Sequence, residues 1–353
     1  MINILLAASI SFLFVLIATP LAIRTLQRKR YGQYIREDGP RAHFVKKGTP
    51  TMGGLVIIGG AFAAYFGAHV TAPEGPRFSP SGLLAMGTVA AMGLLGFIDD
   101  YLKVSKRRSL GLNKTAKILG QLLIAVGFVL LSRPTQALQQ VSFVRPLGVA
   151  LGVMFVVWVF LIVASASNGV NLADGLDGLA SGSGALVMGA YVIIAFWQVR
   201  HSCPPPGTTA PPAGCYFARH SLDLAMFAAS MLGASAGFLW WNAAPARIFM
   251  GDTGSLALGG AMAALAILTN TQLLLIVLGG LYVVEISSVI LQVVSFRIFG
   301  RRLFLMAPIH HHFELLGWPE FTVIVRFWIL AGLAVAFGLG LFYADFLARG
   351  GTG

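Results

Sequence analysis

MINILLAASISFLFVLIATPLAI, residues 1–23, contains no charged side chain and is followed by Arg24, Arg28, Lys29 and Arg30. A helix that crosses a bilayer needs about 20 apolar residues, which is the length of this stretch. A cleaved signal peptide would carry basic residues before its apolar run, whereas here they follow it. The stretch therefore predicts a first membrane-spanning helix.

The composition extends this interpretation to the whole chain. Of 353 residues, 57% are hydrophobic and 11% are charged, whereas about 25% of the residues in a soluble domain are charged. We predict an all-α, polytopic integral membrane protein with a single transmembrane domain over residues 1–353. The ten expected spans are about 2–22, 52–70, 80–98, 116–132, 148–166, 178–199, 221–241, 254–271, 273–296 and 323–346.

The basic residues are divided unequally between the two sides of this predicted domain. The loops that follow spans 1, 3, 5, 7 and 9 contain 19 Lys and Arg residues, and the opposite side contains six. The positive-inside rule places the first side in the cytoplasm and both termini outside. The net charge of +12 is then mainly an orientation signal that contacts lipid headgroups, so nucleic acid is not an expected partner.

A Pro-rich loop, HSCPPPGTTAPPAGCY (201–216), lies on the predicted outer side. Its proline and glycine content excludes regular secondary structure. Cys203 and Cys215 bracket the loop, and disulfides persist on the oxidising side of a membrane. A disulfide between them is therefore favoured, with two reduced thiols as the alternative, and neither state bears on catalysis.

Five polar stretches interrupt the apolar chain, and all of them fall on the predicted cytoplasmic side. Ionisable side chains beside membrane spans are costly, so by default they are functional candidates. Together the stretches predict one polar site on that face of the membrane. They are FIDDYLK (97–103), NGVNLADGLDG (168–178), NAAPARIF (242–249), FMGDTGS (249–255) and APIHHHFE (307–314).

Three aspartates in these stretches are the first candidates for chemistry. Asp99 and Asp100 adjoin at the end of span 3, so on a helix they point about 100° apart and can serve separate roles. Neighbouring carboxylates repel unless a cation or proton intervenes; a solvated helix end is the alternative. Asp252 precedes span 8, either as the N-cap of that helix or within a phosphate site at its start.

A second group of polar residues recurs at a spacing of three. Asn168, Asn171, Asp174 and Asp177 occupy every third position of NGVNLADGLDG, which predicts one polar helical face leading into span 6. Amides and carboxylates together can bind a sugar, a base edge or an ion. An ordinary polar turn is the alternative.

Three consecutive histidines, His310, His311 and His312, follow Pro308. Consecutive side chains fan out around a helix, so the three cannot easily ligate one metal ion. Phosphate binding and proton transfer are as plausible for them as metal binding. Glu314 is close enough in sequence to orient one imidazole.

Two further positions carry polar side chains near or within spans. Glu285 lies inside span 9 and is expected to face the bundle and pair with Ser287 or Ser288, with a proton relay as the alternative. Lys46 and Thr51 belong to KKGTPTMGG, a predicted turn before span 2. Lys46 either meets a phosphate or anchors the chain at the cytoplasmic face.

The arrangement of these groups favours one class of function. A cation-coupled transporter normally has its site near the middle of the bilayer, between repeated halves, and no repeat is apparent here. A site at one face fits a membrane transferase better. The residues alone therefore predict a metal-assisted enzyme that acts on an anionic substrate and a lipid.

FIDDYLK, NGVNLADGLDGLA, FMGDTGSLALGG and PIHHHFE, in this order, resemble the polyprenyl-phosphate N-acetylhexosamine-1-phosphate transferases. PIHHHFE and GTPTMGG resemble the branch that uses UDP-N-acetylmuramoyl-pentapeptide. The resemblance implies that undecaprenyl phosphate attacks the β-phosphate of this nucleotide, giving lipid I and UMP in a Mg²⁺-dependent reaction. It also implies a homodimer in the bacterial cytoplasmic membrane. The sibling branch, which transfers N-acetylglucosamine-1-phosphate to the same lipid, is the alternative.

The resemblance assigns catalytic roles to the aspartates. Asp252 is expected to bind Mg²⁺, Asp99 to deprotonate or orient the lipid phosphate, and Asp100 to assist the metal or hold Asp99. A direct displacement is preferred over a phospho-enzyme at Asp252, because the acceptor is already anionic and needs positioning more than activation.

The resemblance also assigns substrate contacts. Asn171 and Asp174 are expected to contact the nucleotide, and Phe249 to stack on uracil. Phosphates and the sugar–peptide portion are expected to meet basic and hydroxyl side chains. The complete set of substrate-binding positions is Lys46, Thr51, Lys103, Asn168, Asn171, Asp174, Asp177, Asn242, Phe249, His310, His311 and His312.

Overall fold

The computed structural model describes residues 1–29, 31–32, 48–71, 78–106, 110–132, 139–204, 212–217 and 220–350. Regular structure in these ranges is helical apart from one antiparallel hairpin of β1 (Gln140–Ser142) and β2 (Pro146–Ala150). A 3₁₀ turn (Gly152–Met154) leads from the hairpin into a helix. The helices are α1 (Ile2–Arg28), α2 (Gly54–Thr71), α3 (Pro80–Ser105), α4 (Lys114–Ser132), α5 (Phe155–Ala173), α6 (Leu179–Arg200), α7 (Ser221–Asn242), α8 (Gly251–Leu268), α9 (Leu274–Leu278), α10 (Gly280–Phe299), α11 (Ile309–Leu315) and α12 (Glu320–Ala348).

Ten of the helices in the described ranges are long and apolar enough to cross a membrane. They are α1 to α8, α10 and α12, which confirms the all-α, polytopic prediction. The outer helices α1 and α12 expose large apolar side chains, for example Ile17 at 68% and Leu333 at 61%. Exposed apolar faces of this extent are expected where a helix contacts lipid.

Helix α8 forms the centre of the bundle. Every residue from Asp252 to Leu268 is buried, and the helix packs against α2, α3, α5, α6 and α7. Its many small residues allow neighbouring backbones to come close. At Gly96 of α3, an added Cβ would lie 2.1 Å from the backbone oxygen of Asp252. Helices α3 and α8 therefore touch through their backbones beside Asp252.

The polar stretch 168–178 does not form a single helical face, so that prediction is wrong. Asn168 and Asn171 lie in the last turns of α5, which continues to Ala173, beyond the predicted end of span 5. Asp174 and Asp177 lie in the turn that precedes α6. The glycines of the stretch favour this break, and Gly178 adopts a left-handed φ of 82°, which suits glycine.

Three of the predicted spans differ clearly from the helices. Residues 148–150 of predicted span 5 belong to strand β2, and the helix begins at Phe155. Predicted span 9 is divided at Gly279 into the short α9 and the longer α10. Helix α3 continues to Ser105, so FIDDYLK lies inside it.

A disulfide joins Cys203 to Cys215, which confirms the favoured pairing. Arg145, in the hairpin, fixes this loop to α12. Its Nε donates to Asp345 Oδ2 at 2.7 Å, and its guanidinium lies 4.0 Å over the ring of Tyr216. Its remaining N–H groups donate to the backbone oxygens of the loop next to the disulfide.

A buried carboxylate, that of Asp223, connects α2, α3 and α7 at the end of the bundle that includes the N-terminus of α3. Asp223 Oδ2 accepts hydrogen bonds from Tyr65 Oη at 2.9 Å and from the backbone N and Oγ of Ser79 at 2.9 and 2.5 Å. His69 Nδ1 lies 2.7 Å from the Tyr65 carbonyl, and its Nε2 lies 3.1 Å from Asp223 Oδ1. Asp223 therefore links the three helices through its contacts with Tyr65, Ser79 and His69.

Asp223→Ala is expected to lower the free energy of unfolding by about 2–5 kcal/mol, because it leaves the buried donors of Tyr65 and Ser79 without their acceptor. Tyr65→Phe removes one donor and is expected to cost about 1 kcal/mol. Thermal denaturation in detergent measures both variants against the parent protein. Small and equal losses would contradict the central role of the Asp223 carboxylate.

Candidate active site

Three carboxylates meet where the C-terminal part of α3 touches the start of α8. One oxygen each from Asp99, Asp100 and Asp252 lies within 4.8 Å of the others. The Lys103 ammonium lies among them, with Nζ 2.6 Å from Asp99 Oδ2, 3.7 Å from Asp100 Oδ1 and 3.0 Å from Asp252 Oδ1. Lys117 Nζ lies 2.6 Å from Asp252 Oδ2. The two lysines therefore offset most of the negative charge of the cluster.

Asp100 holds the start of α8. Its Oδ1 accepts from the backbone N of Asp252 at 3.1 Å, and its Oδ2 accepts from the backbone N and Oγ1 of Thr253 at 2.9 and 2.7 Å. These are N–H groups that lack partners within the helix. The positive end of the helix dipole also stabilises a carboxylate at this position. The alternative that Asp252 is the N-cap is therefore wrong, because Asp100 of α3 serves that role.

Asp99 and Asp252 face different partners from Asp100. Asp99 Oδ1 accepts from the backbone N of Leu112 at 2.8 Å. Asp252 Oδ1 accepts from Asn171 Nδ2 at 2.9 Å, in addition to its two lysine contacts. Apart from the shared Lys103, the adjacent Asp99 and Asp100 thus have different hydrogen-bond partners, as their helical spacing predicts.

The two asparagines of α5 have different surroundings. Asn171 Nδ2 also donates to Ser255 Oγ at 2.8 Å, so it joins α5 to α8 at the carboxylate cluster. Asn168 Nδ2 donates to the Ala164 carbonyl at 2.8 Å and to Gln121 Oε1 at 3.4 Å. Asn171 therefore belongs to the cluster, whereas Asn168 joins α5 to α4.

Asp174 lies in the turn beside the cluster. Burial, followed by the negative charges of Asp252 and Asp100, raises the pKa of Asp174 well above its usual range. The backbone N–H of Gly251 donates to Asp174 and opposes this rise. The structure therefore brings Asp174 to the beginning of α8, next to the three carboxylates.

Asn242 and Asp177 fix the loop 243–249, which lies beside the turn that follows α5. Asn242 Nδ2 donates to the Ile248 carbonyl at 3.0 Å, and its Oδ1 accepts from Ser181 Oγ at 2.8 Å. Asp177 Oδ2 accepts from the backbone N of Ala246 at 2.9 Å. Asn242 and Asp177 thus fix the loop conformation through the protein's own groups.

The stretch before α2 is tied to the same loop. The Phe249 backbone N donates to the Pro50 carbonyl at 2.8 Å, and its carbonyl accepts from Gly53 at 2.9 Å. Thr51 is buried, and its Oγ1 would lie 2.9 Å from a Cβ added at Gly251. Thr51 therefore lies beside the start of α8. Lys46 falls outside the described residues.

The three histidines fan out to three different partners, as predicted. His310 Nδ1 lies 3.0 Å from Glu285 Oε1, His311 Nδ1 lies 2.6 Å from Glu314 Oε2, and His312 Nδ1 accepts from the backbone N of Leu305 at 3.1 Å. Glu314 does orient one imidazole, that of His311.

The expected pairing of Glu285 with a neighbouring serine is wrong. The Ser288 hydroxyl donates to the backbone carbonyl of Glu285 at 2.7 Å, so it does not serve the carboxylate. The carboxylate pairs with His310, which is 25 residues away in sequence. A contact made by chain folding across that separation leaves no periodic signal in the sequence.

Lys117 is the main site residue that the sequence interpretation missed. It was counted only as one of the basic residues that orient the chain. Its position one turn into an otherwise apolar helix, α4, was the available signal. Gln121, one turn further on, is also buried and donates to Ser167 Oγ at 3.0 Å.

Comparisons with known proteins agree with this geometry. The model described as Glycosyl transferase family 4 matches residues 83–270, which include all three carboxylates. The phospho-N-acetylmuramoyl-pentapeptide-transferase signature 1 matches residues 46–58, which include Thr51.

Curated relatives match nearly the full length of the chain. The phospho-N-acetylmuramoyl-pentapeptide-transferase of Frankia casuarinae is 53% identical over 99% of this chain and 99% of its own length. The proteins of the same name from Streptomyces avermitilis and Rhodococcus opacus are each 52% identical over 98% of this chain, covering 99% and 98% of their own lengths. These names favour neither the N-acetylglucosamine branch nor a transporter.

Asp174→Asn is expected to raise the melting temperature without added divalent cation, and to raise it more as the pH increases. A carboxyl whose pKa is raised by folding begins to destabilise the fold above its ordinary pKa of 3.8, and the effect is complete above the raised pKa. The gain is therefore expected to be small at about pH 5 and larger at about pH 9. A gain of about 2–4 °C corresponds to roughly 1 kcal/mol.

Asp345→Asn, made far from the cluster, is the contrasting variant, because it removes a carboxylate that is paired with Arg145 and is therefore expected to lower the melting temperature. The two variants and the parent protein are compared by thermal denaturation across the pH range. A gain for Asp174→Asn that is independent of pH would contradict the raised pKa.

Proposed function

The chain belongs to the phospho-N-acetylmuramoyl-pentapeptide-transferase family, and we propose on this basis that it makes lipid I. The proposed donor is UDP-N-acetylmuramoyl-pentapeptide, and the proposed acceptor is undecaprenyl phosphate. A lipid phosphate oxygen forms a bond to the β-phosphorus, and the bond from this phosphorus to the oxygen that leaves with UMP breaks. The observation that carries the proposal is the cluster of three carboxylates and two lysines at one end of a membrane bundle.

The charges of the substrates explain why such a site needs cations. A lipid phosphate and a diphosphate must approach each other, and catalysis of phosphoryl transfer consists largely of positioning and charge stabilisation. Lys103 and Lys117 are two cations already placed within 3.0 Å of Asp252. We propose that they exchange part of their contact with Asp252 for contact with phosphate oxygens when substrates bind.

The oxygen donors of the cluster fit Mg²⁺, which is usually bound by one or two carboxylates together with substrate phosphates. Asp252 is the proposed first ligand, because one of its oxygens lies within 4.8 Å of oxygens of Asp99 and Asp100, and substrate phosphates can take over its contacts with Lys103 and Lys117. Asp100 is the proposed second ligand, because its Oδ1 accepts one hydrogen bond from a backbone N–H and retains a lone pair. Bound Mg²⁺ would offset phosphate charge and polarise a phosphoryl oxygen.

The surroundings of Asp252 favour direct displacement over a phospho-enzyme. Lys103, Lys117 and Asn171 all donate to its carboxylate. Three donors disperse the negative charge on its oxygens and so weaken them as nucleophiles. Asp99 is the proposed group that orients the lipid phosphate or takes its proton.

The nucleotide sugar is proposed to lie along the turn that follows α5. Asn171 and Asp174 contact the nucleotide, and Phe249 stacks on uracil. The phosphates and the sugar–peptide portion contact Thr51, Lys46 and the histidine segment, which consists of His310, His311 and His312. Asp177, Asn242 and Asn168 support this surface mainly through contacts within the protein.

We further propose that the site faces the cytoplasm. The ends of α3 and α5 and the start of α8 share one end of the bundle, and the loops on that side carry most of the basic residues. The membrane is the bacterial cytoplasmic membrane, and the protein acts there as a homodimer among membrane lipids.

Purified protein with undecaprenyl phosphate and Mg²⁺ is expected to release UMP from UDP-N-acetylmuramoyl-pentapeptide and not from UDP-N-acetylglucosamine. Chelation of divalent cations is expected to stop the release. Release from the second nucleotide alone would assign the protein to the sibling branch. Release from neither, in folded protein, would overturn the proposed function and call for an ion-flux assay in liposomes.

Asp252→Asn is expected to lower the rate of UMP release by about 100- to 1,000-fold, because it removes the charge that binds the cation and holds both lysines. Its melting temperature is the measure of folding. Asp345→Asn is the matched acid-to-amide control at the other end of the bundle and is expected to keep the parent rate. Near-parent turnover by Asp252→Asn would refute its role.

A further inference from the structure

Glu285 and His310 form a buried hydrogen-bonded pair. Both side chains have 0% exposure, and His310 Nδ1 lies 3.0 Å from Glu285 Oε1. Glu285 lies in the membrane-spanning α10, whereas His310 lies in α11. A carboxylate inside a membrane span is costly, so its retention points to a function or an essential partner.

The hydrogen-bonding capacity of the pair determines which atom of His310 remains for a ligand. With Glu285 ionised, its carboxylate only accepts, and Nδ1 carries the hydrogen that lies between the two groups. Among the described residues, neither His310 Nε2 nor Glu285 Oε2 has a hydrogen-bond partner, although both are buried. Buried polar atoms without partners are rare in folded proteins, and each one calls for an explanation.

The position of Nε2 supplies that explanation. A Cβ added at Gly175 would lie 2.7 Å from His310 Nε2, so this nitrogen faces the turn that follows α5. The preceding residue, Asp174, accepts a hydrogen bond from Gly251 at the start of α8. His310 Nε2 thus faces the turn at Gly175, and this turn lies between His310 and the carboxylate cluster.

The neighbouring histidines do not share this arrangement. His311 pairs with Glu314 within α11, and His312 accepts from the backbone of Leu305. His310 is the buried member of the three, and its partner comes from another helix. The rigid carboxylate of α10 therefore determines the orientation of one histidine ring.

We propose that Glu285 is a positioning residue that holds His310 Nε2 toward a phosphate oxygen of the UDP-linked substrate. When the ring carries both hydrogens, Glu285 balances its positive charge, and Nε2–H can donate to the phosphate. Glu285 does not itself touch the substrate. This inference rests on the proposed function, because it needs a diphosphate beside the turn.

A double-mutant cycle tests this dependence. The parent protein, Glu285→Gln, His310→Gln and the double variant are compared by kcat/KM for UMP release from UDP-N-acetylmuramoyl-pentapeptide at saturating undecaprenyl phosphate. Each single change is expected to lower kcat/KM by about 100-fold, because a small misplacement of a binding group has this effect. The double variant is expected to match His310→Gln within about twofold, since Glu285 acts through His310.

Ser288→Ala is the matched control, because it removes a buried hydrogen bond one turn from Glu285 in the same helix. It is expected to keep the parent kcat/KM. Glu285→Asp serves if Glu285→Gln does not fold, since it keeps the charge and withdraws the carboxylate. It is expected to lower kcat/KM only when His310 is present.

Independent losses, in which the double variant shows the product of the two single effects, would overturn this inference and leave the proposed function intact. So would a Glu285 variant that lowers only the melting temperature. Absence of UMP release by the folded parent with either nucleotide sugar would overturn the proposed function, and this inference with it.

Discussion

The contact between the Asp100 carboxylate and the first N–H groups of α8 organises the candidate site. It unites α3 with the helix that forms the centre of the bundle, and it does so beside Gly96, where the two backbones touch. Asp99 and Asp252 then come together, because Asp99 adjoins Asp100 in sequence and Asp252 adjoins Thr253, which Asp100 binds. Lys103, one turn after Asp99, necessarily falls among the carboxylates. The three carboxylates are thus held together by the contact between Asp100 and α8, and the ammonium groups of Lys103 and Lys117 offset their repulsion.

The fold was largely predictable because the bilayer sets a length and a composition for each span. Ten apolar runs were expected, and ten suitable helices occur among the described residues. Their ends were less predictable, since apolar patterns cannot detect a helix that continues into polar residues. Helix α5 continues through Asn171 because the Asn171 side chain finds Asp252 and Ser255 inside the protein.

The site was predictable where its functional residues are adjacent in sequence or stand alone among apolar residues. Asp99, Asp100 and Asp252 stand out against apolar surroundings, and three histidines in a row must fan out. Contacts between distant segments were not predictable in this way. Asp100 as the cap of α8, Lys117 beside Asp252 and His310 beside Glu285 each join different helices. Only the packing of those helices determines such pairs.

The burial of α8 on all sides has a consequence for how the protein accommodates its ligands. A helix enclosed by its neighbours in this way can neither rotate nor slide without moving them, so Asp252 is a fixed reference point. The adjustable parts are the long, flexible side chains of Lys103 and Lys117, which reach it from α3 and α4. In the proposed reaction, the protein would act as a rigid template on which only these two lysine side chains adjust, and their reach would limit where a phosphate can bind.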